Sequence, residues 1–157
     1  MKSALSIDVS APAARVFELA RDLSKWPARL PHYRSVTIES RTGDKTLATM
    51  VAVRRFGPLP VPVSWRAEQW ADDSDSDDLR LHFRHVRGFT RGMDVTWHIR
   101  PRGPATDAAS VTIEHDFSRP LPLLGTEVVP AFVDRVFVRP IASRTLATFK
   151  QLAEQHG

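Results

Sequence analysis

The sequence has no cysteine, which excludes disulfides, thiolate nucleophiles and any cysteine-ligated zinc or iron–sulfur centre. No run approaches the roughly 18 to 20 apolar residues that span a bilayer. Met1-Lys2-Ser3 leads straight into an alternating pattern, without the apolar core of a signal peptide. A cytoplasmic location is the expectation. There is no glycine-rich phosphate loop, no defensible Ser/His/Asp arrangement and no nucleic-acid motif. No His-x-x-x-His pair or His/Asp cluster falls at ligand spacing, so neither a metal nor another cofactor is expected. Asp73, Asp75 and Asp77 alternate as in a calcium loop, but Asp78 stands where that loop needs glycine and Arg84 where it needs a bidentate glutamate. A solvated hairpin is the expected reading of that run.

What is present fits one globular domain over residues 1–157, with 42% hydrophobic and 25% charged residues and no internal repeat. The net charge of +4 hides an asymmetry. Residues 72–78 carry five of the acids, which leaves +9 on the rest of the chain. The basic residues are scattered, so solubility explains them. The alternative is a module for RNA or an anionic membrane, with Arg80, Arg84, Arg87 and Arg91 exposed. A monomer or homodimer is expected.

Leu5, Ile7 and Val9 alternate on one face of a strand over residues 3–9. Ser10 is placed to cap the helix that follows, with Pro12 in its first turn and Val16, Phe17, Leu19 and Ala20 as its apolar stripe. Asp22 opens a second short helical segment, limited by Trp26-Pro27 and Leu30-Pro31. Six strands follow at 35–40, 45–54, 63–70, 79–86, 92–100 and 110–117, separated by hairpin chemistry such as Thr42-Gly43-Asp44. The proline-rich segment 56–62 predicts a rim loop instead of a strand. Leu79, Leu81, Phe83 and His85 share an inward face, as do Met93, Val95, Trp97 and Ile99, and Val111, Ile113, His115 and Phe117. From Pro130 to Gln155, Val133, Phe137, Ile141, Thr145, Phe149 and Leu152 recur at helical spacing, and Pro140 predicts a kink near Val136. The expected fold is α+β, a curled antiparallel sheet of about seven strands around a long C-terminal helix.

Ser10-Ala11-Pro12 ahead of Val16-Phe17, then Asp22-Leu23-Ser24-Lys25-Trp26-Pro27, resembles the N-terminal signature of the polyketide cyclase/dehydrase and START-related ligand-binding superfamily. Gly88 to Trp97, ending Met93-Asp94-Val95-Thr96-Trp97, resembles its sixth strand. The resemblance covers nearly the whole chain and implies the helix-grip fold. It also implies a hydrophobic ligand, polyketide, aromatic or isoprenoid-like, held between sheet and C-terminal helix without a cofactor. Carried onto this sequence, the wall candidates are Trp65, Phe83, Met93, Trp97 and Phe117 from the sheet and Val133, Phe137 and Ile141 from the helix.

The superfamily spans binders and aromatase/cyclases, and fold does not decide between them. Tyr33 falls where aromatase/cyclases carry a pocket tyrosine able to donate a proton. Their strand arginine corresponds here to Gln69, which cannot act as a cation and counts against cyclisation. His85 and His115 are polar intruders on inward faces, to be read either as satisfied core residues or as acids, bases or orienting groups of the pocket. Phe56 and Leu59, with Leu123 and Leu124 from the proline-rich connector 118–129, form a candidate lid across one pocket mouth.

Overall fold

A computed structural model describes residues 1–88, 90–105, 107–117 and 128–155, the side chains of 128–130 excepted. The chain runs β1 (Lys2–Val9), α1 (Ala13–Arg21), a 3-10 turn (Leu23–Lys25), α2 (Trp26–Arg29), then β2 (Tyr33–Thr42), β3 (Lys45–Phe56), β4 (Leu59–Asp72), β5 (Leu79–Gly88), β6 (Asp94–Pro101) and β7 (Ala109–Asp116). It closes with α3 (Val128–Val133), a π-helical turn (Asp134–Val138) and α4 (Arg139–Glu154). The seven strands form one antiparallel sheet in the order β1-β7-β6-β5-β4-β3-β2. This is the helix-grip fold. Strict alternation explains its two faces: β5 to β7 bury every second residue and leave the others partly exposed.

Two expectations are corrected. Ser10 does not cap α1: Pro12 occupies the N-cap position without a side-chain hydrogen bond, and the Ser10 N–H donates instead to Glu154 Oε1 at 2.8 Å. Residues 56–62 form no rim loop. They are a tight hairpin, with Phe56 opposite Leu59 around Gly57-Pro58, and Gly57 supplies the positive φ (58°) that the first turn position needs. Pro60 and Pro62 are tolerated because they sit at alternate positions whose nitrogens face away from β3. On that side β5 pairs with β4 only from Trp65 onward.

Besides a register shift between Ile38 and Ser40, two β-bulges lie near the site. One falls between Tyr33 and Ser35 in β2, the other between Arg66 and Ala67 opposite His85 and Arg87. Beside the second, Gly88 lies so close to β4 that a Cβ would come 2.8 Å from the Ser64 carbonyl oxygen.

The C-terminal helix shows what Pro140 does. A proline cannot donate to the carbonyl four residues back and clashes with it. The chain answers with a π-turn, in which the Arg139 N–H bonds to Asp134 O. The Val136 carbonyl is taken up from outside the helix, by Arg54 Nε of β3 at 2.8 Å. At the far end Arg15 Nε donates to Ala153 O and Lys150 Nζ to Asp8 O, tying α4 to α1 and β1. Trp26, Trp97 and Phe149 meet with ring centroids 5.7 to 5.9 Å apart, and Trp26 Nε1 donates to Ala20 O. This aromatic cluster is the centre of the core.

Candidate functional site

Between the concave sheet face and the helix the core opens into a cavity of about 80 Å³. Its wall is mostly aromatic and aliphatic: Trp26 from α2, Trp65, Phe83 and Trp97 from the sheet, and Phe137 and Ile141 from the helix. Five polar side chains interrupt it, Tyr33, His85, Thr90, His115 and Thr145. Such a proportion suits a small ligand, with apolar contacts giving affinity and a few polar groups giving orientation.

Tyr33 stands edge-on to Trp26 (5.2 Å) and to Trp65 (5.9 Å). Complete burial pushes its phenol far above the ordinary range, and its hydroxyl interacts with Thr145. Thr145 Oγ1 gives its one proton to Ile141 O at 2.8 Å, so it can only accept from its other neighbours. His32 Nε2, 2.8 Å away, therefore carries the hydrogen of that contact. By the same count Tyr33 donates to Thr145 and turns a lone pair, not a proton, toward the cavity.

His85 is fixed by Thr90 Oγ1, 2.6 Å from its Nδ1, and by parallel stacking on Trp65, with centroids 5.8 Å apart and planes 3° off. Burial depresses its pKa to about 3, and His115 adds to the effect. His115, opposite Val95 on β6 and Ser3 on β1, is held at about 4 by burial and then by the Arg139 guanidinium. Its Nδ1 is buried without a hydrogen-bond partner among the described residues. Both rings are neutral near pH 7. They can accept a proton only weakly and have none to spare as cations.

Of the sequence-derived candidates, Tyr33, His85, His115, Trp65, Phe83, Met93, Trp97, Phe137 and Ile141 converge on this cavity. Three do not. Gln69 lies beyond the bulge, donates to Arg21 O at 3.3 Å and belongs to a charged surface groove with Asp22 and Lys25. Phe117 is buried past the strand end, where its N–H bonds Met1 O. Val133 is buried but off the wall, because the wide π-turn winds less per residue and slips the phase assumed for Val133, Phe137 and Ile141. Trp26, Met50, Thr90, Val138, Ala142 and Thr145 join the wall without having been singled out as site residues. Trp26 and Thr145 were visible only as a helix-ending and a helix-stripe residue, and Thr90 sits in a turn.

Phe56 packs edge-on against Phe137 (5.9 Å) and under the Arg54 guanidinium, while Leu59 is 61% exposed. The other half of the candidate lid, Leu123 and Leu124, lies outside the described residues. Of the four arginines on the candidate basic face, Arg80 pairs with Asp78 and Arg84 with Asp94. Asp78 itself is no solvated hairpin residue. It is 8% exposed and also holds His98 Nδ1 at 3.0 Å and Arg100 Nε at 3.2 Å. No helix of the described residues is long and apolar enough to cross a membrane.

Solved structures share the architecture. A protein from Thermus thermophilus superimposes with a TM-score of 0.73 at 22% identity, over 96% of this chain and 95% of that one. The Zhui aromatase/cyclase from Streptomyces sp. R1128 gives 0.65 at 15% identity, over 100% and 98%. Norcoclaurine synthase from Thalictrum flavum gives 0.67 at 14% identity, over 100% and 95%. At these identities the likeness is one of fold. No curated protein sequence matches the chain. The sequence profile described as polyketide cyclase / dehydrase and lipid transport, however, matches residues 9–139, and it is to this family that the chain belongs.

Proposed function

We propose that the protein binds an uncharged, hydrophobic small molecule of aromatic or isoprenoid character in the cavity between sheet and C-terminal helix. One observation carries this reading: an aromatic-walled cavity inside a core that would gain stability by filling it. Trp26, Trp65 and Trp97 report occupancy directly, since three of the four tryptophans line the wall. Titration with planar apolar probes should quench their emission, and native mass spectrometry of the purified protein should show a retained mass released by organic extraction. Unchanged emission across the whole probe set would remove the proposal.

The second reading is a cofactor-independent aromatase/cyclase. It is supported by the family and by the meeting of Tyr33, His85 and His115 on one wall. Aldol cyclisation and dehydration need positioning and proton transfer. The neutral histidines would serve as bases, with the acid coming from the substrate's own enol. Turnover of a poly-β-ketone mimic that is lost in Tyr33→Phe or His115→Ala would favour this reading; equal turnover in both variants would exclude these residues from it.

A further inference from the structure

We infer that the ligand's polar group bonds to His85 Nε2, and that Thr90 is the positioning residue that lets this bond run in either direction. The inference rests on the ligand-binding reading above and names the class: a flat, neutral ligand with one polar group, a hydroxyl compound and its related carbonyl compound alike. His85 is held on every side but one. Its backbone N–H donates to Met93 O, its carbonyl accepts from Gly92 N, its ring stacks on Trp65, and Nδ1 meets Thr90 Oγ1 at 2.6 Å. Nε2 has no hydrogen bond among the described residues, yet it is not sealed off as Nδ1 of His32 and Nδ1 of His115 are. The residue is buried and stands on the cavity wall, so the surface left to Nε2 faces the cavity.

Thr90 decides what that nitrogen offers. A threonine hydroxyl both donates and accepts, and a neutral imidazole carries its proton on either nitrogen. When Thr90 donates to Nδ1, the ring proton sits on Nε2 and the cavity meets an N–H. When Thr90 accepts from Nδ1–H, the cavity meets a lone pair. Thr145 has no such freedom, because its proton is given to Ile141 O and it can only accept from His32. The Thr90 hydroxyl, buried in its turn, bonds among the described residues only to His85, so its proton is uncommitted. Both arrangements keep the bond between Thr90 and His85, and neither leaves that pair unmatched. Burial keeps the ring neutral, as both require. The stack on Trp65 fixes the ring plane, so the proton moves and the ring does not. The rings of Trp65, Phe83 and Trp97 make the rest of the recognition that of a flat molecule.

Three neutral bicyclic probes separate the cases, since naphthalene has no polar atom, quinoline only accepts and indole only donates. Calorimetry on the full chain should show quinoline and indole each binding about five-fold tighter than naphthalene, as one hydrogen bond warrants. In Thr90→Val the Nδ1 atom loses its partner, and because a buried N–H without an acceptor is the costlier orphan, the ring proton stays on Nε2. Quinoline should keep its advantage in that variant while indole falls to the level of naphthalene, and Thr90→Ser should restore both. Should the valine variant fail to fold, ¹⁵N chemical shifts of the wild-type His85 ring give the answer alone, because quinoline and indole should move Nε2 in opposite directions. Either polar probe bound no tighter than naphthalene, an indole advantage that survives in Thr90→Val, an equal weakening of all three probes there, or ¹⁵N shifts of one sign overturns this inference and leaves cavity binding standing. Failure of all three probes to bind overturns both.

Discussion

β5, β6 and β7 carry four histidines, two on each face of the same sheet, and the faces treat them differently. On the convex side His98 contacts Asp78 at 3.0 Å and Glu114 at 3.6 Å, and His82 stacks on Trp70 at 5.1 Å. On the concave side His85 has one hydroxyl partner, and His115 Nδ1 has none among the described residues. The two sets differ by one residue of register, since alternation alone sends His82 outward and His85 inward. The convex histidines complete a polar network that knits strands together. The concave ones have fewer polar partners among the described residues. The same residue type thus serves as a neutral member of an apolar wall on one face and as a partner for carboxylates on the other.

The largest effect that separates the faces should come from acid. In the unfolded chain His85 and His115 take up protons near their ordinary pKa of 6.5, while the folded forms resist until about 3 and about 4. Stability is therefore complete above pH 6.5 and falls as pH drops from 6.5 toward 4, by up to about 1.4 kcal/mol per pH unit for each ring. Asp78 acts in another window. Its carboxyl is held below the ordinary 3.8 by Arg80, His98 and Arg100 against the opposing pull of burial, so its contribution is present above 3.8 and lost only below it. Burial also lowers the pKa of His32 and, on the convex side, of His82, so urea unfolding at pH 7.5, 5.5 and 4.5 is compared between the wild type and His115→Phe; the same slope in both would mean the His115 ring is hydrated.

Asp78→Ala tests the convex network at constant pH. It strands Arg80, His98 and Arg100 beside one another and should cost on the order of 3 kcal/mol. Probe binding should be unaffected, because none of these residues lines the cavity. A loss of binding equal to the loss of stability would show that the two faces are not independent.

The smallest effect has the opposite sign. His115→Phe removes a buried nitrogen without a partner and should raise stability by about 1 to 2 kcal/mol, measured as a shift of the urea midpoint. His98→Phe on the other face should lower it. Stabilisation at one histidine and destabilisation at the other is the clearest statement of the comparison, and matching signs would dissolve it.

Much of this was legible in the sequence because period-2 and helical patterns depend on neighbours along the chain. Leu81, Phe83 and His85, or Val111, Ile113 and His115, declare a buried face by alternation, and that was enough to put both histidines inside. What resisted were features set by backbone geometry. Pro60 and Pro62 read as strand breakers because nothing local says that β5 stops short of them. Val133 was assigned by an uninterrupted count that fails across a π-turn, whereas Gln69 is inward as alternation demands but lies further along β4 than the cavity reaches, against Arg21. Thr90 and Trp26 reach the cavity through tertiary packing of a turn and a short helix. Neither has a periodic pattern to give it away.

The π-turn before Pro140 has a consequence for how the cavity can vary. It divides the helix into two lengths whose angular positions are set separately: 139–154 is locked to α1 and β1 by Arg15 and Lys150, while 134–138 is set by the grip of Arg54 on the Val136 carbonyl. Ile141, Ala142 and Thr145 thus sit on the length of helix tethered to α1 and β1, while Phe137 and Val138 sit on the length held by Arg54. Substitutions that alter ring size or shape at 137 and 138 should therefore reshape the chamber without re-registering the long helix against the sheet.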